Sequence, residues 1–179
     1  MLKEKLGVDD KDIRIIAAFM KDPDVSQAEL ARSLHLSQPS INQRVQKLKR
    51  AGLLVHNVGI EFSKANTYMV RVDFTAKNAS AILDYLKACS FFVNGFLLSG
   101  KNNVSILIIG HDLKKVETII NTHLRINPDV QDITTSVVVG CAKPFVFSVD
   151  IEHEQHDACQ NKDSCETCPK LTRHQLKAR

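Results

Sequence analysis

Between Arg32 and Arg50 the chain gathers five cations, Arg32, Arg44, Lys47, Lys49 and Arg50, with no acidic residue among them. Amides and hydroxyls are interspersed at Gln38, Ser40, Asn42, Gln43 and Gln46. Guanidinium and ammonium groups attract phosphate oxygens whatever the base sequence. An Asn or Gln amide carries a donor and an acceptor side by side, which suits bidentate pairing with a base edge, adenine above all. Side chains of these types on one face could grip and read double-stranded DNA. A second set lies near the end of the chain: His153, His156, Cys159, Cys165 and Cys168, in the pattern H-x2-H-x2-C-x5-C-x2-C, with Cys141 upstream. Thiolates and imidazoles at such spacing suit zinc, and three or four thiolates suit an iron–sulfur cluster.

The first set needs a rigid carrier, and the flanking residues provide one. Ser26 followed by Glu29 reads as a capping box, the serine accepting from a backbone N–H and the glutamate reaching back to the serine's own N–H, so a helix starts at about Gln27. Leu30, Ala31 and Leu34 give it an apolar stripe. Ser37 then caps a second helix with Pro39 in its first turn. In that helix Ile41, Val45 and Leu48 must face a core, which turns Pro39, Asn42, Gln43, Gln46, Lys47 and Arg50 outward. Arg44 sits near the core edge, placed either to meet phosphate or to brace the domain. Gly52 ends the helix. Ahead of the pair, Asp10 to Lys21 reads as a helix with Ile13, Ile16, Ala17 and Met20 as its stripe, making a three-helix unit. The bland reading of the polar face is a solvated amphipathic helix.

The whole chain has 179 residues, a formal net charge of +4, 44% hydrophobic and 25% charged residues. That composition is globular, long enough for two small domains with a core each. No apolar run reaches membrane-spanning length, so no membrane role is expected. The opening MLKEKLGVDDKD is charged and has no apolar leader-like stretch, so the expected location is cytoplasmic. There, crowded cysteines point to metal ligation or thiol chemistry rather than structural disulfides.

Beyond Leu54 the texture changes, with a short wing or linker strand in Val55 to Asn66. Tyr68 to Phe74 alternates as a half-buried strand. Ala79, Ile82, Leu83 and Leu86 return to helical spacing. Phe91 to Leu98 and Val104 to Ile109 make a hairpin around Ser99, Gly100, Lys101, Asn102 and Asn103. A helix follows on Leu113, Val116, Ile119, Ile120 and Leu124, and a strand on Ile133 to Val139. The order β-α-β-β-α-β predicts an α+β fold: an N-terminal winged helix-turn-helix domain followed by a ferredoxin-like βαββαβ sandwich. The divisions are 1–56, a linker or wing at 57–67, the sandwich at 68–147 and a cysteine-rich tail at 148–179. Because VSILIIG is apolar on both alternations, the second sheet face is expected to be buried against a partner subunit.

In that order the pieces resemble the Lrp/AsnC (feast/famine) regulators over roughly residues 9 to 147. DDKDIRII resembles the family's opening Asp-x-x-Asp-x-x-Ile/Leu helix, SQAELARSLHLSQPSINQRVQKLKRAGLL its reading unit, LLSGKNNVSILIIG its second hairpin, and DLKKVETIINTHLRINPDVQDITTSVVV its last helix and strand. The resemblance implies a homodimer or higher even-numbered oligomer that sets two reading helices on successive major grooves of double-stranded DNA. It also implies a small-molecule effector near Ser99 to Asn103. There the family often reads Gly-Asp/Glu-x-Asp, whereas this chain reads Gly100-Lys101-Asn102-Asn103, with no carboxylate for the ammonium of a free amino acid.

The tail after Phe147 lies outside the usual family pattern. Its metal set is Cys159, Cys165 and Cys168, completed by His156, Cys141 or another subunit. The competing readings are a Cys165–Cys168 thiol switch and a disordered polar tail. Cys89 reads as a small buried hydrophobe, and His35 and His56 as solvent- or phosphate-facing. The expected function is a sequence-specific DNA-binding transcription regulator that responds to metal or redox state, and not an enzyme. One rival is a siroheme decarboxylase-like enzyme of the same architecture. Those tend to carry an Arg-Arg-Ile-Gly-like segment where this chain has Val55-His56-Asn57-Val58-Gly59. Another rival is a structural adaptor with no salt-dependent duplex affinity.

Overall fold

The computed structural model describes residues 2–148. They divide between Asn57 and Val58 into two compact units. The first holds α1 (Leu2–Leu6), α2 (Asp10–Lys21), α3 (Gln27–Leu34) and α4 (Gln38–Arg50). Its core is Val8, Ile15, Leu30, Leu34, Ile41, Val45 and Leu48. Each large aliphatic side chain withdrawn from water there stabilises the unit by about 1.5–3 kcal/mol.

The face that α2 buries differs from the expected one. Ile15 is fully buried, while Ile13 is 37% and Met20 82% exposed. The inward positions are Asp12 and Ile15, with Ile16 and Phe19 packed against the core, so a carboxylate stands where the apolar pattern would place a hydrocarbon. A buried carboxylate is tolerated only when it is paired, and Asp12 is paired. Asp9 caps this helix in a full capping box: its carboxylate accepts from the Asp12 N–H at 2.8 Å, and the Asp12 carboxylate from the Asp9 N–H at 3.4 Å. At Ser26 the box is incomplete, because Glu29 accepts from the serine hydroxyl at 3.3 Å rather than from the serine N–H.

The second unit begins with β1 (Ile60–Glu61) and continues through β2 (Tyr68–Ala76), α5 (Ala79–Leu86), β3 (Phe92–Leu97), β4 (Val104–Gly110), α6 (Leu113–Ile120), β5 (Val130–Val138) and β6 (Val146–Phe147). The four long strands form an antiparallel sheet in the order β3-β4-β2-β5, the ferredoxin-like arrangement. Val70, Val72 and Phe74 of β2 and Val104, Ile106 and Ile108 of β4 meet Ile82, Leu86, Val116 and Ile119 of the helices in one core.

The apolar end of the other sheet face is covered in part by this chain itself. β1 pairs antiparallel with β6, Ile60 opposite Phe147, and Phe147 is buried with Met69 and Ile109. Ile60, Phe62, Phe145, Val93, Leu107 and Val138 pack around them. The approach is close: a Cβ on Gly59 would lie 2.3 Å from the Phe147 carbonyl oxygen. Segment 57–67 therefore contributes its strand to the second unit, and the outward-facing Ile109 of VSILIIG is buried by it within this chain. Farther along the same face lies a polar pair, Arg71 with Asp73 at 3.0 Å.

After α6 the helix widens into a π turn at Asn121–Arg125, which brings His123 and Leu124 inside. The Tyr85 hydroxyl lies 2.7 Å from His123 Nδ1, and His123 Nε2 is buried with no hydrogen-bond partner among the described residues. Burial pulls the imidazole down from 6.5 to about 4. The unfolded chain therefore binds a proton in that window that the folded chain refuses. Stability is complete above pH 6.5 and falls as pH drops toward 4. At 1.36 kcal/mol per unit, the loss reaches at most about 3 kcal/mol. Thermal melts of the second unit across this range should show the decline, and His123→Leu should flatten it.

Candidate nucleic-acid interface

Two turns of helix set the geometry. Ser37 accepts from the Ser40 N–H at 3.3 Å, and Pro39 sits in the first turn of α4, where it forfeits no helical hydrogen bond. Between α3 and α4 the chain reverses through His35 in the left-handed region at φ 53°, and α4 is followed by Gly52 at φ 67°. With Ile41, Val45 and Leu48 in the core, Gln38, Asn42, Gln43, Gln46, Lys47, Lys49 and Arg50 are exposed, Ser40 is half-buried, and Arg32 is exposed on α3.

Arg44 takes the bracing role of the two that its position allowed. Its Nη1 donates to Asp12 Oδ1 at 2.6 Å and to Asp9 Oδ2 at 2.7 Å. Lys47 Nζ lies 3.5 Å from the second oxygen of Asp12 and remains 63% exposed. Asp9 is held below its ordinary 3.8, first by the Asp12 N–H and then by the Arg44 guanidinium. The same two carboxylates raise Arg44. The outward helix is thus bolted to α2 through a buried carboxylate, which fixes its roll about its own axis.

One open hollow of about 670 Å³ collects Asp9, Ser40, Gln43, Arg44, Lys47, Arg50 and Ala51. Lys49 points elsewhere, into a hollow of about 320 Å³ with Phe19, Met20, Pro23, Leu54 and His56. Asn42 faces α3, where the Gln27 amide donates to its Oδ1 at 3.4 Å. Ser40, Gln43, Lys47 and Arg50 therefore form one continuous surface for a polyanion, with Asn42 beside it. Arg44 and Lys49 add charge without sharing its free face.

Residues 8–55 match the family model described as winged helix-turn-helix DNA-binding. This part of the chain is similar to winged helix-turn-helix DNA-binding domains. Over the greater length, regulatory protein AsnC of Haemophilus influenzae is 19% identical across 148 residues, covering 80% of this chain and 97% of that protein. Among solved structures, E. coli AsnC superposes with a TM-score of 0.67 at 18% identity, covering 76% of this chain and 95% of that one. B. subtilis LrpC gives 0.63 at 26% identity, covering 76% and 97%. The fold is that of the AsnC/Lrp type: a helix-turn-helix followed by the α+β sheet domain. The Haemophilus influenzae relative carries the name of a regulatory protein.

Within this AsnC/Lrp-type fold the expected effector loop is partly committed to structure. The Asn103 side chain spans the end of β2, accepting from the Ala76 N–H and donating to the Ala76 carbonyl, both at 2.8 Å. The Thr75 hydroxyl donates to the Lys101 carbonyl at 3.1 Å. Asn103 is thus a fastener, and Ser99, Gly100 and Lys101 are exposed with Asn102 half-buried beside them. Cys141 is exposed, and among the described residues no group of three or more metal-ligating side chains converges. His156, Cys159, Cys165 and Cys168 lie outside the described residues. Among those described, no helix is long and apolar enough to cross a membrane.

Sequence reasoning gave Asp9 and Asp12 only a place in the Asp-x-x-Asp opening of a helix and Gln27 only the start of one, with no part in the interface. The signal for the first two was present as acids three apart, at a helix start and at a core-facing position. Gln27 offered none, since its contact with Asn42 depends on how two helices cross.

Proposed function

We propose that this chain is a sequence-specific transcription regulator that binds double-stranded DNA as a homodimer or higher even-numbered oligomer. One observation carries the reading: an exposed amide-and-cation face, Ser40, Gln43, Lys47 and Arg50, on a helix braced from behind by Arg44, Asp9 and Asp12. The cations hold phosphates, the amides take base edges, and the brace delivers both in one orientation. Selection from a randomised duplex pool tests it. The expected result is enrichment of paired half-sites about one helical turn apart. Recovery of a pool indistinguishable from the input would contradict it.

The tail chemistry supports a sensing role. His156, Cys159, Cys165 and Cys168, with Cys141, supply enough thiolate and imidazole for one zinc or iron–sulfur site per chain, and occupancy would regulate DNA binding only through a difference in affinity between the two states. Metal analysis with a visible spectrum of anaerobically purified protein is expected to give one site per chain, lost in Cys165→Ser/Cys168→Ser. Metal-free protein whose two thiols close reversibly would replace the metal by a redox pair. Ser99, Lys101 and Asn102 remain as the surface for a small-molecule effector, which must be recognised without a carboxylate at the hairpin.

A further inference from the structure

Asn42 is the reading-helix amide held by another element. It is exposed on α4, and its Oδ1 accepts from Gln27 Nε2, at the first position of α3, at 3.4 Å. Its Nδ2 has no hydrogen bond among the described residues. A primary amide has two ends of opposite character, one that only accepts and one that only donates. With Gln27 donating to Oδ1, the Nδ2 end is the one that faces away.

We infer that Gln27, on the helix before the reading helix, sets the base preference at one position by fixing which end of the Asn42 amide meets the base edge. The inference rests on the DNA-binding reading above. With Oδ1 engaged by Gln27, the Nδ2 donors face outward, and the matching edges in the major groove are acceptors: guanine O6 and N7, thymine O4 or adenine N7, with cytosine N4 disfavoured. Free of Gln27, Asn42 presents either end and discriminates less. Gln27 touches no base in this account. It acts through Asn42 as a positioning residue.

Gln27→Glu separates this from a merely structural role. Glutamate is nearly isosteric with glutamine and suits the first turn of a helix, so the fold is retained. Its carboxylate only accepts, so it draws Nδ2 toward itself and turns Oδ1 outward, toward bases that present an amino donor, adenine N6 and cytosine N4. The experiment is selection from a randomised duplex pool with wild type, Asn42→Ala, Gln27→Ala and Gln27→Glu, with a thermal melt of each. Asn42→Ala locates the position by flattening its preference. There Gln27→Ala should weaken discrimination and Gln27→Glu should shift it toward adenine or cytosine by about tenfold, the value of one base contact, with other positions unchanged. Wild-type preference retained at every position by both Gln27 variants would overturn the inference while leaving the DNA-binding reading intact. So would the absence of any position flattened by Asn42→Ala. A wild-type protein with no salt-dependent duplex binding would overturn both.

Discussion

Glutamates at Gln43 and Lys47 together should reduce duplex affinity by about 100-fold or more, since one replaces a base-reading amide and the other a phosphate-neutralising cation with repulsive charges. Both positions are exposed on the hollow that also holds Ser40 and Arg50. Lys47 also lies 3.5 Å from the buried Asp12, so a glutamate there sets two carboxylates against each other inside the brace. Gln43→Glu alone avoids that conflict, and a melt of each variant separates lost binding from lost fold. Retention of promoter DNA at wild-type strength by a folded Gln43→Glu/Lys47→Glu protein in a gel assay would contradict the assignment of this face.

The second large effect concerns stability. Arg44→Leu leaves the Asp12 carboxylate, 0% exposed, with the Asp9 N–H at 3.4 Å and, as its one remaining cation, the largely solvated Lys47 at 3.5 Å. Removing one partner of a buried ion pair typically costs 3–5 kcal/mol, so a loss of about that size is expected in the first unit, against the roughly 5–15 kcal/mol that holds a whole domain. Arg44→Leu/Asp12→Leu should recover much of it, because a hydrophobic pair of similar volume needs no desolvation of charge. A denaturant titration following the first unit checks both. Asp9 adds an acid-side dependence. Its depressed folded pKa means that its contribution is present above the ordinary 3.8 and is lost as pH falls through its lower folded value.

The local parts of this molecule were legible in its sequence. Ile41, Val45 and Leu48 fall on one side of a helix whatever surrounds them, so the exposed set on α4 followed directly. Ser37, Pro39 and Gly52 marked the ends of that helix by chemistry confined to a turn. The order of the four long strands and two helices of the second unit was equally accessible, because each of those elements carries its own period.

What escaped depended on distant partners. Asp12 broke the apolar stripe of α2 and pushed the expected face round to Ile13 and Met20, because only Arg44, far along the chain, makes a buried carboxylate tolerable there. Ile60 and Phe147 lie on two-residue strands with no period of their own, so hydropathy alone did not show that their pairing covers one end of that sheet face. Asn103 read as part of an effector loop, and only the fold brings Ala76 beside it to make it a fastener. At the interface, residue types located the surface, while the packing of α4 on α2 decided that Arg44 braces and its crossing with α3 decided that Asn42 is held.

The most direct measurement is duplex affinity against salt concentration for wild type and Lys47→Gln. The account predicts a linear fall of log affinity with log salt for wild type, and a slope shallower by about one for the variant, one phosphate contact having been lost. Affinity independent of salt, or identical slopes for the two proteins, would contradict it.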